Sequence, residues 1–120
     1  MVDFYKDYVA KMFSIEGRTA IVTGATGALG GAIAVAYAMC GAKVVLTGRN
    51  KEKLEVLAGE IRDAGGEALP YAADPSVEEQ VKGLVAFAAK QYGGLDILAV
   101  SHGYNKPQNI LDQSVEDWRC

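Results

Sequence analysis

The sequence is poor in the residues that bind metals and build disulfide frameworks. Its 120 residues include two cysteines, Cys40 and Cys120, and one histidine, His102. Two cysteines are too few for a disulfide framework, so we expect free thiols in a reducing cytoplasm. A single histidine and the lack of any Cys-x-x-Cys pair argue against a metal site. The sequence therefore predicts a cytoplasmic protein without a bound metal.

A basic excess, a long apolar run and a signal sequence are also missing. The net charge is −3 and the pI about 5.1, so no basic stripe is available to bind nucleic acid. No stretch approaches the roughly 18 consecutive apolar residues of a membrane span. Residues 1–7 lack the basic region and apolar core of a secretory signal. The length predicts one domain over residues 1–120. The charge and the short apolar runs predict that neither nucleic acid nor a membrane is a partner.

What the sequence does have is a glycine-rich turn between an apolar strand and an apolar helix. The run Ala20-Ile21-Val22 is followed by Gly24, Gly27 and Gly30, and a helical pattern over 29–39 starts at once. Such a turn leaves unpaired N–H groups at the positive end of a helix, which suits a phosphate or pyrophosphate. Glycines alone are a weak signal, but the strand before and the helix after them favour a dinucleotide site.

Strands and helices alternate along the rest of the chain. The predicted elements are a helical arm over 1–15 that packs on the domain, strands at 43–47, 67–72 and 95–100, a helix from the Asn50 cap to about 64, a helix opened by a Ser76/Glu79 capping box, and a helix start at 114–117. This alternation predicts an α/β fold, a Rossmann-like doubly wound parallel sheet in the strand order 3-2-1-4.

The first two strand ends carry candidate phosphate contacts, because ligands bind beyond the carboxyl ends of parallel strands. The Thr26 hydroxyl in the glycine turn can reach a phosphate. Arg49 ends the second strand about 20 residues after Gly30, where an acid suits NAD and an arginine suits the 2′-phosphate of NADP. A solvated surface arginine is the alternative. Because residues 42–51 contain no acid, NADP is favoured and NAD stays open.

The last two strand ends are less specific. The Asp74 carboxylate can accept a hydrogen bond from the adenine amino group, and a turn-forming Asp before Pro75 is an equal alternative. Ser101 and Gly103 are small residues that let the chain pass under a cofactor. His102 between them titrates near neutrality, but no acid–base role is assigned because the sequence shows no partner residue for it.

With these residues in place, the chain resembles the N-terminal, cofactor-binding half of a short-chain dehydrogenase/reductase over residues 14–120. The family pattern Thr-Gly-x-x-x-Gly-x-Gly is matched by Thr23, Gly24 and Gly30, while Ala28 replaces the middle glycine. Gly27 stands one position earlier, which is the spacing of the longer, epimerase-type branch. The resemblance implies a sheet that lacks the family's C-terminal strands.

The Asp74 turn matches the family's adenine-binding aspartate. Only Gly103 is kept from the usual Asn-Asn-Ala-Gly, and Ser101 stands in for an asparagine. The residues predicted to bind the cofactor are Gly24, Thr26, Gly27, Leu29, Gly30, Arg49, Asp74, Ser101 and Gly103. Residues 104–118 resemble sugar-alcohol and gluconate-type members, which implies a small sugar- or polyol-like substrate. The resemblance also implies that the parent protein is a homo-oligomer.

Three functions are compatible with the sequence. The first is an NADP-linked oxidoreductase that transfers a hydride between the nicotinamide and an alcohol or carbonyl, represented by its cofactor-binding half. The second is a non-catalytic nucleotide-binding module, complete at 120 residues. The third is an NAD-dependent epimerase or reductase of the longer branch, which would require an acid where the sequence has Gly48-Arg49.

We expect the 120 residues by themselves to be inactive. The family's chemistry needs a Tyr-x-x-x-Lys pair, and none of the six tyrosines is followed by a lysine four residues on, so no catalytic residue is assigned. Hydride transfer needs a proton donor or acceptor beside the reacting oxygen. NAD(P)H absorbance with a panel of alcohols and ketones, on material of verified mass, measures this. Steady turnover would contradict the prediction and make His102 the first residue to mutate.

Overall fold

The computed structural model describes residues 1–103 and 107–118. In chain order the helices and strands of these residues are α1 (Val2–Met12), β1 (Thr19–Val22), α2 (Ala28–Met39), β2 (Lys43–Gly48), α3 (Lys51–Asp63), β3 (Glu67–Ala72), α4 (Glu78–Tyr92), β4 (Ile97–Ala99), a short 3-10 turn (Ile110–Asp112) and α5 (Val115–Trp118). The alternation of strand and helix predicted from the sequence is confirmed.

The four strands form one parallel sheet in the order β3-β2-β1-β4, as predicted. Ile21 in β1 pairs with Val45 in β2 on one side and with Leu98 in β4 on the other. β3 lies at the edge, and it contains Pro70. Because proline lacks an N–H to donate, an edge strand is the position in a sheet that tolerates it.

Helices cover both faces of the sheet, because the central strands are apolar on both sides. Val22 and Leu46 belong to a core cluster completed by residues of α2 and α3. Ile21 and Val45 face the other way and pack with residues of α4. Leu98 shares that second face but is 60% exposed. The cover of the sheet therefore thins out from β1 towards β4.

Local signals place the helix ends, with one exception. Asn50 caps α3 by accepting the Lys53 N–H at 3.1 Å, as predicted. The capping box at Ser76 and Glu79 is wrong: the N-cap of α4 is Val77, without a side-chain hydrogen bond. Ser76 instead donates its N–H and hydroxyl to Asp74. The Ser76 side chain that a capping box requires is therefore already hydrogen-bonded to Asp74. β4 is also shorter than predicted, at three residues.

The helical arm forms but does not pack on the domain, contrary to the prediction. α1 has no buried residue, and Phe4, Tyr8 and Phe13 are all more than half exposed. The ring of Phe4 stacks on that of Tyr8 within the same helix. An amphipathic pattern identifies an apolar face but not the surface that covers it. In the described part of the chain, no helix combines the length and apolar character needed to cross a membrane.

Asp96 fixes the start of β4 to the start of β1. Its Oδ2 accepts the Thr19 N–H at 2.9 Å, and its own N–H donates to the Thr19 carbonyl at 2.9 Å. Its Oδ1 lies 3.7 Å from Arg18 Nη1, in an exposed ion pair that contributes little by itself. The carboxylate therefore closes the hydrogen-bond ladder at the amino end of the sheet, opposite the glycine turn.

We expect Asp96→Ala to lower the free energy of unfolding by about 1–2 kcal/mol, because it leaves the Thr19 N–H without its charged acceptor. Asp96→Asn keeps an oxygen acceptor and should cost roughly half as much. Urea denaturation followed by circular dichroism measures both changes. Equal losses for the two variants would show that the hydrogen bond to Thr19 is not the source of the stability.

Candidate functional site

The glycine turn lies at the carboxyl edge of the sheet, where β1 meets both of its neighbours. The Thr23 N–H donates to the Ala99 carbonyl at 2.9 Å, and the Ala25 N–H donates to the Thr47 carbonyl at 3.1 Å. Gly24 between them has φ +61°, in the region that favours glycine. The turn is thereby attached to β4 on one side and to β2 on the other.

The end of β4 packs directly against this turn. A Cβ on Gly24 would lie 2.7 Å from the Ser101 carbonyl oxygen. A Cβ on Gly30 would lie 2.5 Å from Ser101 Oγ and would overlap the Gly24 carbonyl oxygen even more closely. Gly27 has more room, with its nearest neighbour at 3.3 Å. Gly24 and Gly30 are therefore required by the packing of the protein itself, whatever binds at the turn.

The N-terminus of α2 supplies unpaired N–H groups at the turn. Gly27 is the N-cap without a side-chain hydrogen bond, and the Gly31 N–H makes the first helical bond, to the Gly27 carbonyl at 2.8 Å. The N–H groups of Ala28, Leu29 and Gly30 have no acceptor four residues back inside the helix. The Leu29 side chain is 68% exposed, so its predicted contact with a cofactor would be made by its N–H. This is the geometry of an anion site.

The end of β2 lies beside the turn. A Cβ on Gly48 would lie 3.7 Å from Thr26 Oγ1, an ordinary contact. Arg49 next to it is exposed and takes part in none of the ion pairs among the described residues. A cleft of about 550 Å³ runs from Thr26 and Gly27 to α3, whose charged lining residues are Glu52, Lys53 and Glu60. The two predicted phosphate contacts, Thr26 and Arg49, thus end neighbouring strands.

Asp74 forms a turn of its own beyond β3. Its Oδ1 accepts the N–H of Ser76 at 2.9 Å and the hydroxyl of Ser76 at 2.7 Å. These hydrogen bonds hold the pKa of the Asp74 carboxyl below its ordinary value, with smaller contributions in the same direction from Arg49 and His102. The carboxylate is therefore ionised at neutral pH and can only accept hydrogen bonds. The turn-forming role is present, and adenine binding stays a prediction.

The end of β4 brings a polar network onto Thr23. Ser101 donates its hydroxyl to the Thr23 carbonyl at 2.5 Å and its N–H to Thr23 Oγ1 at 3.1 Å. The Nδ1 atom of His102 lies 2.7 Å from the same Thr23 Oγ1. Among the described residues, no atom lies within 4 Å of a Cβ placed on Gly103. Ser101 therefore acts through Thr23, and its predicted contact with a cofactor stays a prediction.

Sequence reasoning missed Thr23 as the centre of this network and found no partner for His102. Ser101 and His102 lie 78 and 79 positions from Thr23 along the chain, so no local pattern relates them to it. The predicted strand order was a usable signal. Thr23 follows β1 and His102 follows β4, these strands were predicted to be neighbours, and the carboxyl ends of neighbouring parallel strands meet at one edge.

Comparisons with known proteins agree with this geometry. A family model described as short chain dehydrogenase matches residues 18–120. An uncharacterized oxidoreductase of Staphylococcus aureus strain USA300 is 38% identical over 107 residues, which are 89% of this chain and 46% of the relative. The chain thus spans a little under half the length of the curated relatives it matches.

Two solved structures share the fold. A hydroxysteroid dehydrogenase from Escherichia coli superposes with a TM-score of 0.81 at 31% identity, covering 92% of this chain and 46% of the other. An L-sorbose reductase from Gluconobacter frateurii, complexed with NADPH and L-sorbose, gives a TM-score of 0.79 at 31% identity, covering 88% and 41%. These similarities extend over the sheet and the glycine turn.

We expect Gly30→Ala to lower the free energy of unfolding by about 2–3 kcal/mol, because the new methyl group meets the backbone of Gly24 and the Ser101 hydroxyl. Gly59→Ala is the matched control: it makes the same chemical change inside α3, where a Cβ meets nothing within 4 Å, and should raise stability by about 0.5–1 kcal/mol. Thermal and urea unfolding compare the two. A Gly30→Ala protein as stable as Gly59→Ala would contradict the tight packing between the glycine turn and β4.

Proposed function

The chain belongs to the short-chain dehydrogenase family, and on that basis we propose that the intact protein is an NADP-linked oxidoreductase. It transfers a hydride between the nicotinamide and an alcohol or carbonyl substrate, and residues 1–120 bind the cofactor. The supporting observation is that the ends of β1, β2 and β4 meet at the glycine turn, at the point where the order of the strands reverses about β1. Dinucleotides bind at such a switch point in open α/β sheets.

The residues at this edge fit a dinucleotide. The free N–H groups at the start of α2 suit the pyrophosphate, and the ionised Asp74 carboxylate suits a hydrogen bond from the adenine amino group. When bound, the nicotinamide ring supplies the site that accepts or releases the hydride. The residues of this chain would hold and orient the rest of the cofactor. Gly103, which follows β4, has no side chain that would obstruct the cofactor there, and no described atom lies within 4 Å of a Cβ at that position.

NADP rather than NAD is supported by charge at the end of β2. Arg49 is exposed and follows β2 beside Thr26, and residues 42–51 contain no acid; Glu52 and Lys53, which line the adjoining cleft, have opposite charges. The guanidinium pairs bidentately with phosphate. The L-sorbose reductase, at 31% identity, is a relative whose structure contains NADPH, which adds support from similarity.

A small sugar- or polyol-like substrate is the proposed partner. The support is the likeness of residues 104–118 to sugar-alcohol-type members and the structural similarity to an L-sorbose reductase. A hydroxysteroid dehydrogenase is equally similar in identity. Turnover of a polyol and ketose panel beside a hydroxysteroid panel discriminates between the two substrate classes.

The Arg49→Ala substitution tests the cofactor choice. We expect the intact protein to bind NADPH more tightly than NADH, and Arg49→Ala to reduce the NADPH affinity about ten- to a hundredfold, since a charge-assisted contact of about 1.5–3 kcal/mol is lost. NADH affinity should change little. Fluorescence titration of both cofactors measures the ratio, and equal affinities for NADH and NADPH in the unmodified protein would overturn the proposal.

Gly48→Asp provides the opposite change at the neighbouring residue. The space around Gly48 admits a side chain, so a carboxylate there should repel a 2′-phosphate and favour the ribose hydroxyls of NADH. Arg62→Ala serves as the control for loss of a positive charge, because that guanidinium donates to the Ala68 carbonyl from the last turn of α3. It should leave the NADPH/NADH ratio unchanged.

A further inference from the structure

His102 has no role in the function proposed above, although it is held at the edge of the glycine turn. Its Nδ1 lies 2.7 Å from Thr23 Oγ1. A Cβ on Gly24 would come within 3.0 Å of the His102 backbone N. Among the residues that the structure describes, Nδ1 is the ring nitrogen with a hydrogen-bond partner, and the residue is exposed. The contact at Nδ1 thus holds the imidazole beside Thr23.

The contact with Thr23 can persist when the imidazole gains or loses a proton. Thr23 Oγ1 accepts the Ser101 N–H at 3.1 Å and lies 3.5 Å from the Ala99 carbonyl oxygen. Beside a neutral ring, the threonine hydroxyl donates to Nδ1. Beside a charged ring, Nδ1–H donates to the threonine oxygen, and the hydroxyl proton turns to Ala99. Because a hydroxyl both donates and accepts, the ring keeps its place in both charge states.

Among the described residues, the groups that face His102 come from two elements. From β1 the facing group is Thr23, which does not titrate in this range. From the turn after β3 it is Asp74, whose pKa is held low chiefly by the hydrogen bonds from Ser76, with Arg49 and His102 acting in the same direction. Histidine is the side chain whose charge changes between about pH 5 and 8.

We propose that His102 is a cofactor-binding residue that couples proton uptake to cofactor binding: the imidazole, fixed on Thr23 beside the glycine turn, becomes a cation that strengthens the binding of the dinucleotide phosphates. This inference depends on the proposed function, because it requires the cofactor to bind at this turn. A cation near bound phosphates favours the complex, so cofactor binding and proton uptake favour each other and the affinity for the cofactor rises as the pH falls.

The test is the pH dependence of cofactor affinity in the intact protein. NADPH and NADH are titrated by fluorescence from pH 6.0 to 8.5 at constant ionic strength. Both should bind about three- to tenfold more tightly at the acid end, the range expected for one extra charge at the edge of a solvated site. NADH is the cleaner probe, because the 2′-phosphate of NADPH itself takes up a proton in this range.

Four variants separate the imidazole from other causes. His102→Gln keeps a neutral polar side chain and should abolish the acid-side gain, so that its affinity at pH 8.5 matches the unmodified protein. Thr23→Ser keeps the hydroxyl and should retain the pH dependence, whereas Thr23→Val should weaken it. Lys90→Gln removes a cation near the far end of α4 and should leave the slope unchanged.

The outcomes distinguish a failure of the proposed function from a failure of the role of His102. If neither cofactor binds at any pH, the proposed function fails and the role of His102 fails with it. If a cofactor binds but His102→Gln shows the same pH dependence as the unmodified protein, only the inference about His102 is overturned. Should Thr23→Val not fold, the comparison of His102→Gln with Thr23→Ser still decides the question.

Discussion

The close contact between the end of β4 and the glycine turn is the constraint on which the rest of this edge depends. Ser101 lies so near Gly24 and Gly30 that neither position has room for a Cβ. Because the turn is also hydrogen-bonded to β2 through Ala25 and Thr47, three strand ends are fixed relative to one another. The free N–H groups of α2 therefore face outward from a rigid base, and little ordering remains to oppose ligand binding there.

This contact changes how the glycine pattern is understood. Of the three glycines, the first is usually explained by the tight turn, the second by the approach of a pyrophosphate and the third by the packing of helix against strand. In this chain, Gly24 and Gly30 are needed first by Ser101, and Gly27 is the one with space beside it. The middle glycine of the family pattern is replaced by Ala28, which starts α2, and Gly27 precedes it as the N-cap. The shifted spacing is thus compatible with a normal helix start at the turn.

The sequence predicted the sheet well because its strands are apolar on both faces and are bounded by glycines. Ile21 and Val45 are buried against α4 while Val22 and Leu46 are buried against the other helices, so continuous apolar runs were the right signal. The pairing of Asp96 with Thr19 and of His102 with Thr23 could not be predicted in this way. Both join residues almost 80 positions apart, and local patterns have no information about such contacts.

The two wrong predictions have a common physical origin, since each assigned a partner from local spacing alone. Ser76 has the right spacing for a capping box, but the nearby Asp74 carboxylate accepts its hydroxyl and N–H instead. The apolar face of α1 has the right spacing for packing, but the helix contains no buried residue. Hydrophobic periodicity predicts which residues form a face, and tertiary structure decides whether that face is covered.

The separation of 77 positions between Thr19 and Asp96 also sets an order of events during synthesis. β1 can pair with β2 soon after both leave the ribosome, but its other edge has to wait for β4. At roughly 5–20 residues per second, that interval is about 4–15 s. During it, the apolar strand that becomes the centre of the sheet presents one unpaired edge, a template for association with other chains. The nascent chain is thus most vulnerable before the end of β4 packs against the glycine turn.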